Sequence, residues 1–151
     1  KNIKNKKILL IGSTSAYHTR RGLINILENL KITKFPYQVN LVGYGTSEFE
    51  SYNSKNINVL GSVTNSKLEE LMIEADYLIV NTIQASGYLF KVVEFNLSGI
   101  PIIFTSRFIQ HENLEEYGIF NIDINNLYET ILKIDEVKSF KKFKKKYITW
   151  F

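Results

Sequence analysis

Short apolar runs alternate along the chain with segments whose apolar residues recur at helical spacing. The runs lie at residues 7–12, 37–42, 56–60, 76–80 and 100–105. Runs of this length are typical of strands buried in a parallel sheet, and the segments at 21–30, 47–52 and 67–74 have the spacing of helices packed on one side. The pattern predicts an α/β fold, a doubly wound, Rossmann-like parallel sheet whose ligand crevice lies at the carboxyl ends of the strands.

The segment 86–101 carries the densest candidate chemistry. Ser86 and Gly87 open it, and its apolar residues recur at helical spacing while Lys91 and Glu94 share a different face. The first turn of such a helix has unpaired backbone N–H groups and the positive end of the helix dipole, which favour a bound anion such as a phosphate. A cation and a carboxylate beside an anion site suggest a nucleotide.

Two arginines, Arg20 and Arg21, are predicted to open the first helix after a polar loop at 13–19. Cations at a helix N-terminus oppose its dipole, so these arginines are either solvated or matched by an anion, for which a phosphate is suitable. Glycines at 43 and 45 let the backbone approach a ligand closely, or they form a simple tight turn, since the third glycine of a dinucleotide fingerprint is lacking.

The remaining elements are predicted more briefly. Asn65 or Ser66 is expected to cap the helix at 67–74. Beyond residue 106 we expect a short helix at 112–117, an edge strand at 119–122 and a helix at 125–134. A flavodoxin-like or response-regulator-like sheet has the same alternation of elements, but the acidic cluster expected after its first strand is lacking.

Composition limits the function classes. The 151 residues, 44% of them hydrophobic and none of them Cys, are enough for one domain with a sizeable core, predicted to span 1–136. Ten of the 19 basic residues lie in 1–7 and 138–146, so the intervening segment holds nine against 15 acids and is net −6. That is a poor surface for nucleic acid. Because the chain begins with Lys, we expect it to be part of a longer protein.

The C-terminal segment 137–151 places aromatic residues against lysines and predicts a basic amphipathic helix. It is expected to pack its aromatic stripe on this domain or on an absent one. The alternative is peripheral contact with an anionic membrane surface. No apolar run is long enough to span a bilayer. The lack of Cys fits a reducing compartment, so a cytoplasmic location is expected, with any membrane contact at the inner face.

Taken in order, these motifs resemble the C-terminal, donor-binding half of the group 1 glycosyltransferases of the GT-B fold, over residues 7–120. A glycine after the first strand and a basic residue followed by glycine in the first helix match Gly12 and Arg21-Gly22. The strand ends at 42–45 and 60–63 match as well. The helix carrying Glu94 and ending in Gly99-Ile100-Pro101 completes the resemblance.

The resemblance implies a retaining, hexosyltransferase-type enzyme of polysaccharide biosynthesis that binds a nucleotide-diphosphate sugar. The acceptor would be held by an N-terminal domain outside this chain, so the chain alone would not be active. Arg21 and Lys91 would neutralise the donor diphosphate, and Glu94 would hold the ribose hydroxyls. The other expected donor contacts are Gly12, Ser13, Arg20, Gly43, Tyr44, Val63, Ser86, Gly87, Tyr88, Leu89 and Phe90.

No metal or other cofactor is expected. The chain has no Asp-x-Asp to hold a metal on a diphosphate. His18 and His111 are far apart in sequence and have no cysteines to complete a metal site, so both are expected to be surface residues. Two positions depart from the family pattern. Ser86 stands where many members have a second glutamate, and Ser13 where many have an arginine. These departures favour the alternative function, a non-catalytic nucleotide-binding-like module that holds a partner protein or a membrane.

Overall fold

A computed structural model of the chain describes residues 5–81, 99–105, 118–121 and 123–136. The strands are β1 Lys7–Ile11, β2 Gln38–Val42, β3 Ile57–Gly61, β4 Tyr77–Val80, β5 Ile102–Phe104 and β6 Ile119–Asn121. The α-helices are α1 Tyr17–Ile32, α2 Asn65–Glu74 and α3 Leu127–Glu136. Short 3-10 helices occupy Thr46–Tyr52 and Ile124–Asn126.

The strands form one six-stranded sheet in the order β3-β2-β1-β4-β5-β6. Every neighbouring pair is parallel. The order reverses between β1 and β4, which makes this the switch point where ligands bind in doubly wound sheets. The predicted Rossmann-like fold is therefore confirmed. A flavodoxin-like sheet is excluded, because there the third strand lies where this chain has its fourth.

Both faces of the sheet are covered, which explains why its central strands are continuously apolar. On one face, Ile8 and Leu10 of β1 pack in a cluster with apolar residues of α1 and α3. On the other face, Leu9 and Ile11 pack with Leu71 of α2. The two clusters fix the helices against the sheet and so determine where each strand-to-helix loop lies.

The start of α1 was predicted wrongly. The helix begins at Tyr17, inside the segment predicted as a loop, so Arg20 and Arg21 lie within the helix and do not open it. Thr19 stabilises this first turn, because its Oγ1 donates to the Ala16 carbonyl oxygen at 2.9 Å. The segment 17–20 contains no apolar periodicity from which this extension could be predicted.

The cap of α2 was also predicted wrongly. Thr64 is the N-cap, with Oγ1 accepting from the Lys67 amide at 3.2 Å, while Asn65 and Ser66 are already helical. The helix predicted at 125–134 begins as a 3-10 turn in which the Asp123 side chain accepts from the Asn125 amide.

The edge strand predicted at 119–122 is present as β6. The helices predicted within 86–101, at 112–117 and at 137–151 lie outside the described residues. Within the ranges that the structure describes, no helix is long and apolar enough to cross a membrane.

Candidate functional site

The carboxyl ends of β1 and β2 meet through two glycines. The Gly12 amide donates to the Val42 carbonyl oxygen at 3.1 Å. Gly43 has a φ of +140°, and a Cβ built on it would lie 1.6 Å from the Gly12 carbonyl oxygen. No side chain fits there, so the two loops approach each other as closely as backbones can. The glycines at 43 and 45 thus let one loop of this chain come close to another loop of the same chain.

The turn after β2 is joined to its neighbours on both sides. The Tyr44 carbonyl oxygen accepts from the Thr14 amide at 3.0 Å, and the Gly43 amide donates to the Gly61 carbonyl oxygen at 3.0 Å. The Tyr44 side chain itself is 71% exposed. The ends of β1, β2 and β3 therefore form one continuous rim at the carboxyl edge of the sheet.

The predicted contact residues in this part of the chain lie at that rim. Gly12 and Ser13 follow β1, Gly43 and Tyr44 follow β2, and Val63 lies two residues beyond β3. Ser13 Oγ is 2.8 Å from Ser15 Oγ, which orders the loop before α1. The sequence therefore placed these five residues at a common edge.

Helix α1 begins at this rim without a side-chain cap. Its N-cap residue is Ala16, and the first turn has no acidic residue. The N–H groups of such a turn have no hydrogen-bond partner within the helix, so they can donate hydrogen bonds to a bound anion. The sequence predicted the same anion-binding chemistry for the first turn of another helix, the one within 86–101.

Arg20 is engaged by a carboxylate. Its Nε lies 2.8 Å from Glu48 Oε1, and its Nη2 donates to Glu48 Oε2 at 3.3 Å. The hydrogen bond and the charge of Glu48 raise the pKa of the Arg20 guanidinium above its ordinary value. Its guanidinium carbon also lies 5.9 Å from the centroid of the Phe49 ring.

Arg21 has a different surrounding. It is exposed, and its Nη1 donates to the Tyr17 hydroxyl at 3.0 Å, one helical turn earlier. Among the described residues it makes no ion pair. The two adjacent arginines are thus chemically unequal, because only Arg20 has its charge matched within the described chain.

One polar residue at the switch point was not predicted. Asn81 follows β4 and is 3% exposed. Its Nδ2 donates to the Thr19 carbonyl oxygen at 2.8 Å, and its Oδ1 lies 3.5 Å from Thr105 Oγ1. It therefore joins α1 to the ends of β4 and β5. The available sequence signal was an Asn directly after a buried apolar run.

The other predicted contacts lie outside the described residues. They are Ser86, Gly87, Tyr88, Leu89, Phe90, Lys91 and Glu94. His111, predicted to be a surface residue, also lies outside the described residues. His18 is exposed, as expected, and its ring contacts that of Tyr17 edge to face. Within the part of the chain that is described, no cluster of three His, Asp or Glu side chains could hold a metal ion.

A separate pocket lies at the opposite, amino edge of the sheet. It has a volume of about 230 Å³ and is lined by the end of α1, the end of the 3-10 helix and the residues before β3. Phe35 and Ile57 supply apolar lining, and Lys31 and Lys34 supply cations. Because it faces away from the carboxyl edge, this pocket is distinct from the rim.

No protein-family model and no curated protein matches the sequence. Solved structures match the fold. The glycosyltransferase SnogD from Streptomyces nogalater is 16% identical with a TM-score of 0.60, over 99% of this chain and 39% of that one. The catalytic domain of cholesterol-α-glucosyltransferase from Helicobacter pylori is 18% identical with a TM-score of 0.58, over 95% of this chain and 99% of that one.

Epimerases match equally well. A putative UDP-N-acetylglucosamine 2-epimerase from Listeria monocytogenes is 10% identical with a TM-score of 0.60, over 95% of this chain and 40% of that one. A further match, the S. aureus MnaA–UDP co-structure, is 10% identical with a TM-score of 0.59, over 93% of this chain and 39% of that one. The chain thus spans about two fifths of the length of SnogD and of MnaA. At these identities the likeness shows the fold alone, which is that of GT-B glycosyltransferases and of UDP-GlcNAc epimerases.

Proposed function

We propose that this chain is the C-terminal, donor-binding domain of a retaining, group 1 glycosyltransferase, of the hexosyltransferase type, acting in polysaccharide biosynthesis. It binds a nucleotide-diphosphate sugar at the carboxyl edge of the sheet. The acceptor is held by an N-terminal domain outside this chain, so the chain alone binds donor without turning it over. Transfer needs no metal or other cofactor, and the protein works in the cytoplasm, where the basic segment 137–151 can reach the inner face of the membrane.

The observation that carries this proposal is the rim, whose β1 end borders the switch point between β1 and β4. Gly12 and Gly43 are in backbone contact, and the uncapped start of α1 lies beside them. Doubly wound sheets bind ligands at this place, and a helix N-terminus favours a phosphate there. The full-length match to the H. pylori glucosyltransferase catalytic domain and the UDP in the MnaA structure support a nucleotide-sugar donor.

The chemistry required of the chain is electrostatic. When the bond between the anomeric carbon of the donor sugar and the diphosphate breaks and the sugar passes to the acceptor, negative charge develops on the departing diphosphate. Arg21 and Lys91 neutralise it, with Arg20 as a further candidate, and the N–H groups before and within the first helix turns donate hydrogen bonds to its oxygens. Such preorganised donors lower the barrier without transferring a proton. Glu94 accepts hydrogen bonds from the ribose hydroxyls and so orients the nucleotide.

The contacts with the rest of the donor are backbone and small side chains. The site is lined by Gly12, Ser13, Gly43 and Tyr44, and Val63 borders the base. In the second half of the site, Ser86 and Gly87 approach the diphosphate, and the backbone of 88–90 meets its oxygens. Glycine has no Cβ and so lets the backbone come close to a ligand, which is why glycines at these positions suit a donor site.

A second candidate is a nucleotide-sugar epimerase domain. Several matching structures are UDP-N-acetylglucosamine 2-epimerases, one of them bound to UDP-GlcNAc. Both candidates hold a nucleotide sugar, so they share the binding test and differ in what the complete protein releases. A transferase releases a nucleoside diphosphate, whereas an epimerase returns an isomeric nucleotide sugar.

Calorimetric titration with UDP, GDP and ADP tests the proposal. One of them is expected to bind saturably. Lys91→Ala is expected to weaken the free energy of nucleotide binding by about 1.5 to 3 kcal/mol, because it removes a hydrogen bond to a charged phosphate. Glu94→Ala is expected to weaken binding as well. Lys67→Ala, which removes an exposed lysine on α2, is the matched control and is expected to leave affinity unchanged.

Absence of saturable binding by all three nucleotides would contradict the proposal. Binding that Lys91→Ala and Glu94→Ala both leave unchanged would also contradict the roles assigned to them. Either result would favour the non-catalytic interaction module.

A further inference from the structure

The guanidinium of Arg20 is held from two directions. Glu48 occupies its edge with two contacts, Nε to Oε1 at 2.8 Å and Nη2 to Oε2 at 3.3 Å. The ring of Phe49, which is 3% exposed, lies against it with the guanidinium carbon 5.9 Å from the ring centroid. To reach a phosphate, Arg20 would have to leave both partners. Bidentate pairing of this kind gives orientation as well as attraction.

Glu48 is directly connected to the turn after β2. Its amide donates to the Gly45 carbonyl oxygen at 3.2 Å. Two residues earlier, the fully buried Thr46 donates from Oγ1 to the Gly43 carbonyl oxygen at 2.8 Å. The residue whose carboxylate binds Arg20 is therefore hydrogen-bonded through its backbone to the glycine turn at the rim.

The loop 13–16 and the first turn of α1 are consequently joined to the segment 43–48 at two points. Before α1, the Thr14 amide donates to the Tyr44 carbonyl oxygen at 3.0 Å. Within α1, Arg20 pairs with Glu48. A Cβ built on Gly45 would lie 1.9 Å from Thr14 Oγ1, so the two segments also leave no space between them.

We propose that Arg20 is a positioning residue for the donor site, which acts through Glu48, and that Arg21 is the arginine that contacts the diphosphate. The Arg20–Glu48 pair holds the loop after β1 and the turn after β2 in the relative position that receives the donor. This inference rests on the proposed function, because it assigns a role within the same site. Arg21 is suited to the phosphate because its charge has no acidic partner in the described ranges.

Removal of the carboxylate distinguishes positioning from direct contact, since the two roles predict opposite signs. If Arg20 positions the rim, Glu48→Gln and Arg20→Gln each weaken UDP binding in calorimetry. We expect about a two- to fivefold loss, the range that exposed ion pairs support. The double variant should lose no more than either single one, and the exchanged pair Arg20→Glu with Glu48→Arg should recover part of the loss. If Arg20 contacts the phosphate directly, Glu48→Gln frees it and tightens UDP binding.

The matched control is Lys67→Gln, which breaks an exposed pair with Glu70 of 3.3 Å on α2. It should leave UDP affinity unchanged and shift the melting temperature as little as Arg20→Gln does. A merely structural role for Arg20 would change the melting temperature and not the affinity. Tighter or unchanged UDP binding in Glu48→Gln would overturn the inference.

Hydrogen exchange of the Thr14 amide provides a readout that needs no ligand. It should quicken in Arg20→Gln and Glu48→Gln but not in Lys67→Gln, because the pair holds the loop that this amide belongs to. Exchange that stays unchanged would overturn the inference on its own. A wild-type chain that binds none of UDP, GDP and ADP while Thr14 exchange responds as expected would contradict the donor role of the rim and leave the positioning role of the Arg20–Glu48 pair intact.

Discussion

Gly22 of α1 lies so close to Asn81 that a Cβ built on it would come within 2.4 Å of Asn81 Oδ1. The same Asn81 donates from Nδ2 to the Thr19 carbonyl oxygen at 2.8 Å. The first turns of α1 are therefore seated directly on the end of β4, at the switch point of the sheet. A larger residue at either position would lift the helix away from the rim.

Gly22→Ala is expected to destabilise the fold, although Ala is ordinarily about 1 kcal/mol better than Gly inside a helix. The new methyl group would overlap Asn81, and overpacking of this kind costs about 1 to 3 kcal/mol. Urea denaturation measures the difference. Asn25→Ala on the exposed face of the same helix is the control, for which neutral or raised stability is expected.

The overlap can also be relieved from the other side. In the background of Asn81→Ala, which shortens the opposing side chain, Gly22→Ala should cost much less than in the wild type. An equal cost in both backgrounds would show that the two residues are not coupled and would contradict the close seating of α1.

Gly43→Ala is expected to be among the most damaging single changes at the rim. Its φ of +140° and the 1.6 Å approach to the Gly12 carbonyl oxygen leave no room for a Cβ. Gly61→Ala is the matched comparison, because its φ of +70° carries strain but its nearest neighbour, Ser47 Cβ, is 3.4 Å away. We expect about 1 kcal/mol of lost stability at Gly61 and clearly more at Gly43. Equal losses in urea denaturation would contradict the backbone contact.

Tyr52 is expected to make the free energy of unfolding fall as the pH becomes alkaline. Its hydroxyl donates to Glu28 Oε1 at 2.5 Å, and this hydrogen bond, followed by partial burial, raises the pKa of Tyr52 above its ordinary value of 10.0. Because the folded state favours the protonated phenol, the stability that this hydrogen bond contributes is fully present below the unfolded-state pKa of Tyr52. It is lost as the pH rises through the higher folded-state pKa.

Tyr52→Phe should therefore remove about 1 kcal/mol of stability at neutral pH, the net worth of a typical hydrogen bond. It should also lose less stability than the wild type as the pH is raised beyond 10.0. Denaturant unfolding at several alkaline pH values measures both effects, with Tyr44→Phe as the control at an exposed tyrosine. Parallel pH curves for the wild type and Tyr52→Phe would contradict the role of this hydrogen bond.

The sequence was most informative where burial alone determines structure. The apolar run at 7–12 predicted β1 to within one residue, because a strand buried on both faces tolerates few other residues. The rim residues followed from this, since a loop after a parallel strand must lie at the carboxyl edge. The sheet order could not be derived, because pairing depends on contacts between distant segments.

The contacts that differ from prediction are tertiary or local to a cap. The pairing of Arg20 with Glu48 joins residues 28 positions apart, and that of Asn81 with Thr19 joins residues 62 apart. Neither pair has a sequence pattern. The early start of α1 at Tyr17 was missed because Ala16 is not a recognisable cap residue.

The most direct test of donor binding at the rim is a two-dimensional NMR titration of the isotope-labelled chain with UDP, GDP and ADP in turn. If the donor binds at the rim, the amide signals of Gly12, Ser13, Gly43, Tyr44 and Val63 should shift together and saturably. The amides of Lys34, Asn53 and Asn56, which line the pocket at the opposite edge, should stay in place as an internal control. Shifts confined to that opposite pocket, or no saturable shift at the rim with UDP, GDP or ADP, would contradict donor binding at the rim.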